Sequence, residues 1–200
     1  LIQSRPEPEA SEDEYQAFLK YMGLKKSELQ VWHIDADPLP KLNLQNYSGI
    51  VVGGSPFCVS DKQKTKNQLR VESELFKLLD EVVEKDFPFF GACYGIGLLT
   101  VHQGGKMSYK YGEPVGATEI KLKGSEMDSI LTELPDRFTS FLGHKEACEI
   151  MPSSATLLAS SDACPVQLMR IKNNVYASQF HPELDFEGLK TRIEIYKNHG

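Results

Sequence analysis

The stretch Phe87-Pro88-Phe89-Phe90-Gly91-Ala92-Cys93-Tyr94-Gly95-Ile96-Gly97-Leu98-Leu99 decides the fold. Through Ala92 it is a short apolar, aromatic run of the kind found in a central strand. Tyr94 to Gln103 reads as a helix stopped by Gly104-Gly105. Only Cys93 separates the two, so the segment is a βα unit with a very tight turn. Gly91-Ala92-Cys93-Tyr94-Gly95 has the G-x-nucleophile-x-G form of a nucleophile elbow. The glycines remove bulk where strand and helix approach each other. The turn sets the sulfur at a helix N-terminus, where free N–H groups and the helix dipole favour thiolate over thiol.

Working outward, Val71, Leu75, Leu78, Leu79, Val82 and Val83 form a helical stripe within Gln68 to Lys85. Before it, Ser48 to Val52 is a β-branched run stopped by Gly53-Gly54, as for a buried parallel strand meeting a loop. Leu29 to Ile34 suggests another strand. Ser11 to Met22 suggests an amphipathic helix burying Tyr15, Phe18, Leu19 and Met22. The apolar stub ahead of Arg5-Pro6-Glu7-Pro8 reads as the tail of a strand that begins outside this sequence. Downstream the character changes to β segments at 106–111, 115–122, 138–142, 156–159, 166–171 and 175–180, with Asn173-Asn174 as a turn. Asp185 to Asn198 closes the chain as a helix with Phe186, Leu189, Ile193 and Tyr196 on one face. The expectation is a single α/β domain over 1–200: a doubly wound, mostly parallel, flavodoxin-like sheet flanked by helices, with an additional antiparallel β region.

Composition narrows the function classes. The 200 residues carry 22 Lys+Arg against 28 Asp+Glu, a net charge of −6. With no basic cluster, a nucleic-acid face is not expected. No apolar run approaches the roughly 20 residues that span a bilayer, and Leu1 to Arg5 lacks a signal-peptide pattern, so a cytoplasmic protein without membrane contact is expected. Cys58, Cys93, Cys148 and Cys164 include no C-x-x-C pair, so no metal site is expected. Three of these thiols read as small buried hydrophobes, leaving Cys93 for chemistry. Lys62, Lys64 and Lys66 read as a solvated loop, His102 as packed or partly exposed, and His33 as a strand residue. His199 falls at the terminus, and Tyr109, Tyr111, Glu113 and Pro114 fit a strand and turn.

A nucleophilic Cys needs a base. Only His181 has a carboxylate placed to orient it, in His181-Pro182-Glu183 at the end of a strand. Residues i and i+2 of an extended chain point to one side, so Glu183 can hold one imidazole nitrogen while the other faces the sulfur. Pro182 favours the extended form of His181. From composition alone the elbow and the His-Pro-acid motif would coincide with a chance on the order of 10⁻³. In a parallel sheet the Gly53-Gly54 loop ends on the same edge as the elbow, so the Gly54 and Tyr94 N–H groups are candidate oxyanion donors.

These residues resemble the class I, triad-type glutamine amidotransferases, most closely the amidotransferase domain of GMP synthase and its stand-alone relatives. The matching landmarks run in order: Gly53-Gly54-Ser55-Pro56, Gly91 to Gly95, Gly143-His144-Lys145-Glu146 and His181-Pro182-Glu183. The resemblance implies that Cys93 attacks the side-chain amide of glutamine, His181 shuttles the proton to departing ammonia and Glu183 holds His181. It also implies substrate contacts near Gly53, Gly97, Gly143 and His144, no cofactor, and a synthetase partner or a further acceptor domain that uses the ammonia. The departures fall on substrate recognition. Family members commonly carry Gln where this chain has Gly97, Ser where it has Gly143, and Asp where it has Glu146. Two other readings stay open: a γ-glutamyl or other small-amide hydrolase on the same fold, and a catalytically silent binding or regulatory module.

Overall fold

A computed structural model describes residues 1–124 and 128–197; the expected helix end at Asn198, and His199, lie outside them. Among the described residues one large sheet runs in the order β2-β1-β3-β4-β11-β10-β9-β6-β7. Its parallel half is β1 (Ile2–Gln3), β2 (Trp32–His33), β3 (Ile50–Val52), β4 (Phe89–Ala92) and β11 (Val175–Ser178). The antiparallel β6 (Glu113–Leu122), β7 (Arg137–His144), β9 (Ala155–Ser160) and β10 (Leu168–Ile171) continue the same sheet. The expected antiparallel region is thus an extension of the parallel half, and the whole sheet is mixed. β5 (Lys106–Ser108) pairs separately with β8 (Ala147–Ile150), a strand too short and unpatterned to read from sequence.

Alternation along β3 and β4 sorts the helices. Ile50, Val52 and Phe89 pack with α2 (Lys66–Lys85) and α3 (Tyr94–His102) on one face. Val51 and Ala92 turn to the other face, beneath Phe18 and Leu19 of α1 (Pro8–Met22). α1 starts a turn earlier than expected, because proline is well suited to the first turn of a helix, where its missing N–H costs nothing. α4 (Phe186–Tyr196) packs against α1. Its buried face is Gly188, Leu189 and Arg192, whereas Phe186 and Ile193, expected to pack, are exposed.

Two features carry the fold to the site. β11 lies beside β4 with Ser178 opposite Ala92, so Cys93 and His181 leave adjacent strands at the same edge. The sheet also curls: the far-edge strand β7 returns to touch the segment after β11, where the His181 N–H donates to Phe141 O at 2.9 Å.

The elbow glycines differ in their demands. A Cβ on Gly91 would stand 2.9 Å from the backbone of Gly95, which cannot yield cheaply, whereas one on Gly95 would meet nothing closer than 3.5 Å. Gly91→Ala is therefore expected to cost about 1–3 kcal/mol. Gly95→Ala, inside a helix, is expected to be neutral or slightly stabilising. Urea denaturation of the two variants measures the difference.

Candidate active site

Cys93 takes φ 53°, ψ −87° as the N-cap of α3, a conformation that side-chain-bearing residues rarely adopt. It is held there by its N–H, which donates to Ser178 O at 2.8 Å. The helix that follows leaves the first N–H groups, Tyr94's among them, without intrahelical acceptors. The sulfur lines a cavity of about 660 Å³.

His181 lines the same cavity, and its imidazole hydrogen-bonds toward the Cys93 sulfur. Nδ1 lies 2.7 Å from Glu183 Oε1, and both side chains are buried. Burial alone would depress the basicity of His181, but the Glu183 carboxylate and Cys93 together outweigh it and raise the pKa to about 9. Burial pushes Glu183 upward, yet His181 and Arg192 pull it down to about 2. The three side chains expected to form a triad are therefore brought together, with the carboxylate ionised and the imidazole basic.

The glycine loop departs from expectation. The Gly53 N–H donates to Ile2 O at 3.0 Å within the sheet, and the Gly54 N–H, expected to face the reacting centre, donates to Glu14 Oε1 at 3.1 Å. Gly54 is nonetheless close behind the base: a Cβ there would meet Arg5 and, at 3.0 Å, His181 Cε1. Gly143 and His144 line the cavity as expected, but His144 is buried at the end of β7 and does not lie on an exposed loop. Gly97 faces Glu146, Val59 and Met107. Cys148 and Cys164 are buried, whereas Cys58, expected to be buried with them, is half-buried and lines the cavity. Lys64 is no solvated loop residue: its Nζ lies 2.6 Å from Glu72 and 2.7 Å from Val59 O.

Three site residues escaped the sequence reading. Arg192 Nη2 donates to Glu183 Oε1 at 3.2 Å, and Nη1 stands 3.1 Å from His181 Nδ1. When Nδ1–H is given to Glu183 it cannot also accept from Arg192, so the guanidinium adds positive charge beside the ring without a bond to it. Glu14, fully buried, takes Arg5 Nε at 2.9 Å and lies 3.7 Å from Arg192 Nη2. Glu113 Oε2 lies 3.0 Å from His144 Nε2 and accepts Gln167 Nε2 at 2.6 Å. The only sequence signal for Glu14 and Arg192 is a charge on the inward face of an amphipathic helix.

Glu113, His144 and Cys164 bring potential ligand atoms within 4.8 Å of one another. These groups fit a proton network better than a metal. Both His144 nitrogens are engaged, Nδ1 by Glu146 O at 2.9 Å, and burial pushes the Cys164 thiol up to about 12, away from the thiolate a metal would bind.

The comparisons with known proteins fit this geometry. The family described as "Glutamine amidotransferase class-I" matches residues 12–195, and the chain belongs to it. It is 30% identical over 147 residues to the GMP synthase [glutamine-hydrolyzing] of Borrelia garinii subsp. bavariensis, covering 74% of this chain and 26% of that protein. It is 29% identical over 159 residues to the Bacillus subtilis GMP synthase, covering 79% and 28%. The chain thus spans about a quarter of the length of these relatives. Its fold matches a glutamine amidotransferase from Thermotoga maritima, with a TM-score of 0.79 at 22% identity over 99% of this chain and 82% of that one. It also matches a glutamine amidotransferase from Methylobacillus flagellatus, with a TM-score of 0.78 at 19% identity over 100% and 76%.

An NMR titration of the imidazole is expected to place the His181 midpoint near 9. Glu183→Gln should lower it, because Cys93 alone is then left to oppose burial. Since folding raises this pKa, the pair's contribution to stability is complete below about pH 6.5 and is lost as the pH rises through about 9.

Proposed function

We propose that the chain hydrolyses the side-chain amide of glutamine to glutamate and ammonia through a cysteine thioester, and passes the ammonia to a synthetase partner or further domain, as in a GMP synthase. The observation that carries this reading is the alignment of Cys93, His181 and Glu183, the first two lining one cavity and the third buried behind the imidazole, in a member of the class I amidotransferase family. Cys93 Sγ adds to the amide carbon and the carbonyl electrons move to oxygen. As the adduct collapses, His181 gives its proton to the departing nitrogen, which leaves as ammonia. His181, now neutral, takes a proton from water as that water attacks the thioester, and glutamate and the thiolate are regenerated. The Tyr94 N–H serves as an oxyanion donor. The Gly54 N–H can join it only after leaving Glu14. The named relatives are GMP synthases that hydrolyse glutamine, which supports the coupling to an acceptor reaction.

Among the described residues no helix is long and apolar enough to cross a membrane. One observation favours a second reading, cleavage of a γ-glutamyl or other small amide. At position 97 there is no side chain to contact substrate, and Glu146 occupies the adjoining space.

Glutamate and ammonia release from glutamine, measured with and without a candidate synthetase, tests the proposal. Cys93→Ala is expected to lower the rate by about three orders of magnitude or more. Thiol-dependent cleavage of γ-glutamyl peptides without glutamine turnover would favour the second reading. Failure of both, with no labelling of Cys93 by a glutamine-mimicking electrophile, would leave neither standing.

A further inference from the structure

Gln179 follows Ser178, whose carbonyl holds the Cys93 N–H, so its side chain leaves the end of β11 next to the nucleophile. It lines the cavity and is 1% exposed. Its Nε2 donates to Cys93 Sγ at 3.9 Å, long for an oxygen acceptor but within reach of the larger sulfur atom. Its Oε1 is buried and has no hydrogen-bond partner among the described residues.

Packing does not account for this arrangement. A buried amide oxygen left without a donor costs about 1–3 kcal/mol, and one long bond to sulfur does not offset that. An apolar side chain of the same length would fill the space without the penalty. Turning the amide over brings no relief, because the carbonyl would then face the sulfur and the NH2 group would be buried without an acceptor. A polar group is thus kept here against stability, and the atom it reaches is the nucleophile.

The sulfur's other polar neighbour is the imidazole of His181, which gives and takes a proton as the reaction proceeds. An amide N–H remains a donor at every step. Such a donor acts most strongly when the sulfur is negative. That is the case before attack on the amide carbon, and again when the thioester C–S bond breaks and its electron pair returns to sulfur.

Resting on the reading of Cys93 as the nucleophile of an amide hydrolase, we infer that Gln179 is a further catalytic residue, whose side-chain N–H positions the Cys93 thiolate and stabilises its charge.

The test follows the pH dependence of Cys93 alkylation by iodoacetamide, with the modified residue identified by peptide mass spectrometry. Gln179→Met keeps the length of the side chain and removes the donor. On the acid limb of the profile, where a proton competes for the sulfur, it should react about three- to tenfold more slowly, the range for one hydrogen bond. On the alkaline plateau the rates should agree within about threefold, because thiolate nucleophilicity follows basicity only weakly. Gln179→Glu keeps the shape but sets a carboxylate against the thiolate, so its acid limb should be slower still. His181 and Cys58, the titratable groups that interact with the sulfur, are unchanged in both variants. In urea, Gln179→Met should be at least as stable as the unsubstituted protein, whereas a merely structural role would lower its midpoint and leave the acid limb in place.

Acid limbs that superimpose, or equal slowing at every pH, would overturn the inference. So would a Gln179→Met chain that loses stability or does not fold, which would assign the amide to the fold. Glutamine turnover plays no part in this titration. If the protein releases no ammonia from glutamine, the hydrolase reading fails by itself, and the alkylation profiles still decide the role of Gln179.

Discussion

The hydrogen bond from the Cys93 N–H to Ser178 O, 2.8 Å long, joins the two halves of the candidate site. It extends the β4–β11 ladder by one step, past the point where β4 has turned into α3. The turn needs this support, because Cys93 sits at positive φ and a side chain there costs about 1–3 kcal/mol unless the surroundings fix it. The same bond sets the register of the strand that leads to His181. Ser178 further restrains the exit from β11 by donating its hydroxyl to Phe180 O at 2.7 Å. Nucleophile and base are far apart in sequence, yet their relative position follows from one parallel pairing.

The charged groups behind this pairing follow a different logic. Glu183, Arg192, Glu14 and Arg5 are all buried, and bringing each ion out of water carries a penalty that a single partner rarely repays. Here they alternate in sign from the triad to the start of α1, and Glu14 also receives Gln3 Nε2 and the Gly54 N–H. The chain of contacts links β1, α1, α4, the glycine loop and the His-Pro-Glu segment. Removing one member would strand an unpaired charge, which is the costly case. The helices α1 and α4 are thus docked partly by ions whose positions also set the electrostatics of His181.

That dependence explains which parts were legible in the sequence. Cys93, His181 and Glu183 could be read because their constraints are local: a tight turn, an i, i+2 pair and a proline each leave a pattern within a few residues. α2 was legible for the same reason, as its apolar stripe faces the core. Tyr15, Phe18, Leu19 and Met22 gave α1 a plausible inward face, but Met22 is exposed and Glu14 is inside. On α4, Arg192 is inside and Ile193 outside. A pattern that scores hydrophobicity rotates such helices wrongly, because the partner that makes a charge inward-facing lies elsewhere in the chain. The Gly54 N–H shows the same limit: the glycine pair located the loop correctly, but its acceptor, Glu14, is on another element.

The division of the sheet bears on how specificity can vary while the chemistry stays fixed. The groups aligned for chemistry leave the parallel half, where β4 is paired on both sides by β3 and β11. The groups facing them across the cavity, Glu113, Gly143, His144 and Glu146, come from the antiparallel extension and the residues just after β7. The two sets meet at the Phe141–His181 backbone bridge and where Glu146 grips the loop after β3. Substitutions on the extension therefore reshape the wall that a substrate meets without altering the turn at Cys93. Gly97 belongs to the helix of the parallel half but faces Glu146, so its effect is expressed through the other half. Of the three positions where the resemblance to the family breaks, 143 and 146 fall on this wall and 97 lies against Glu146 from the other half, while the elbow and the His-Pro-Glu motif are intact.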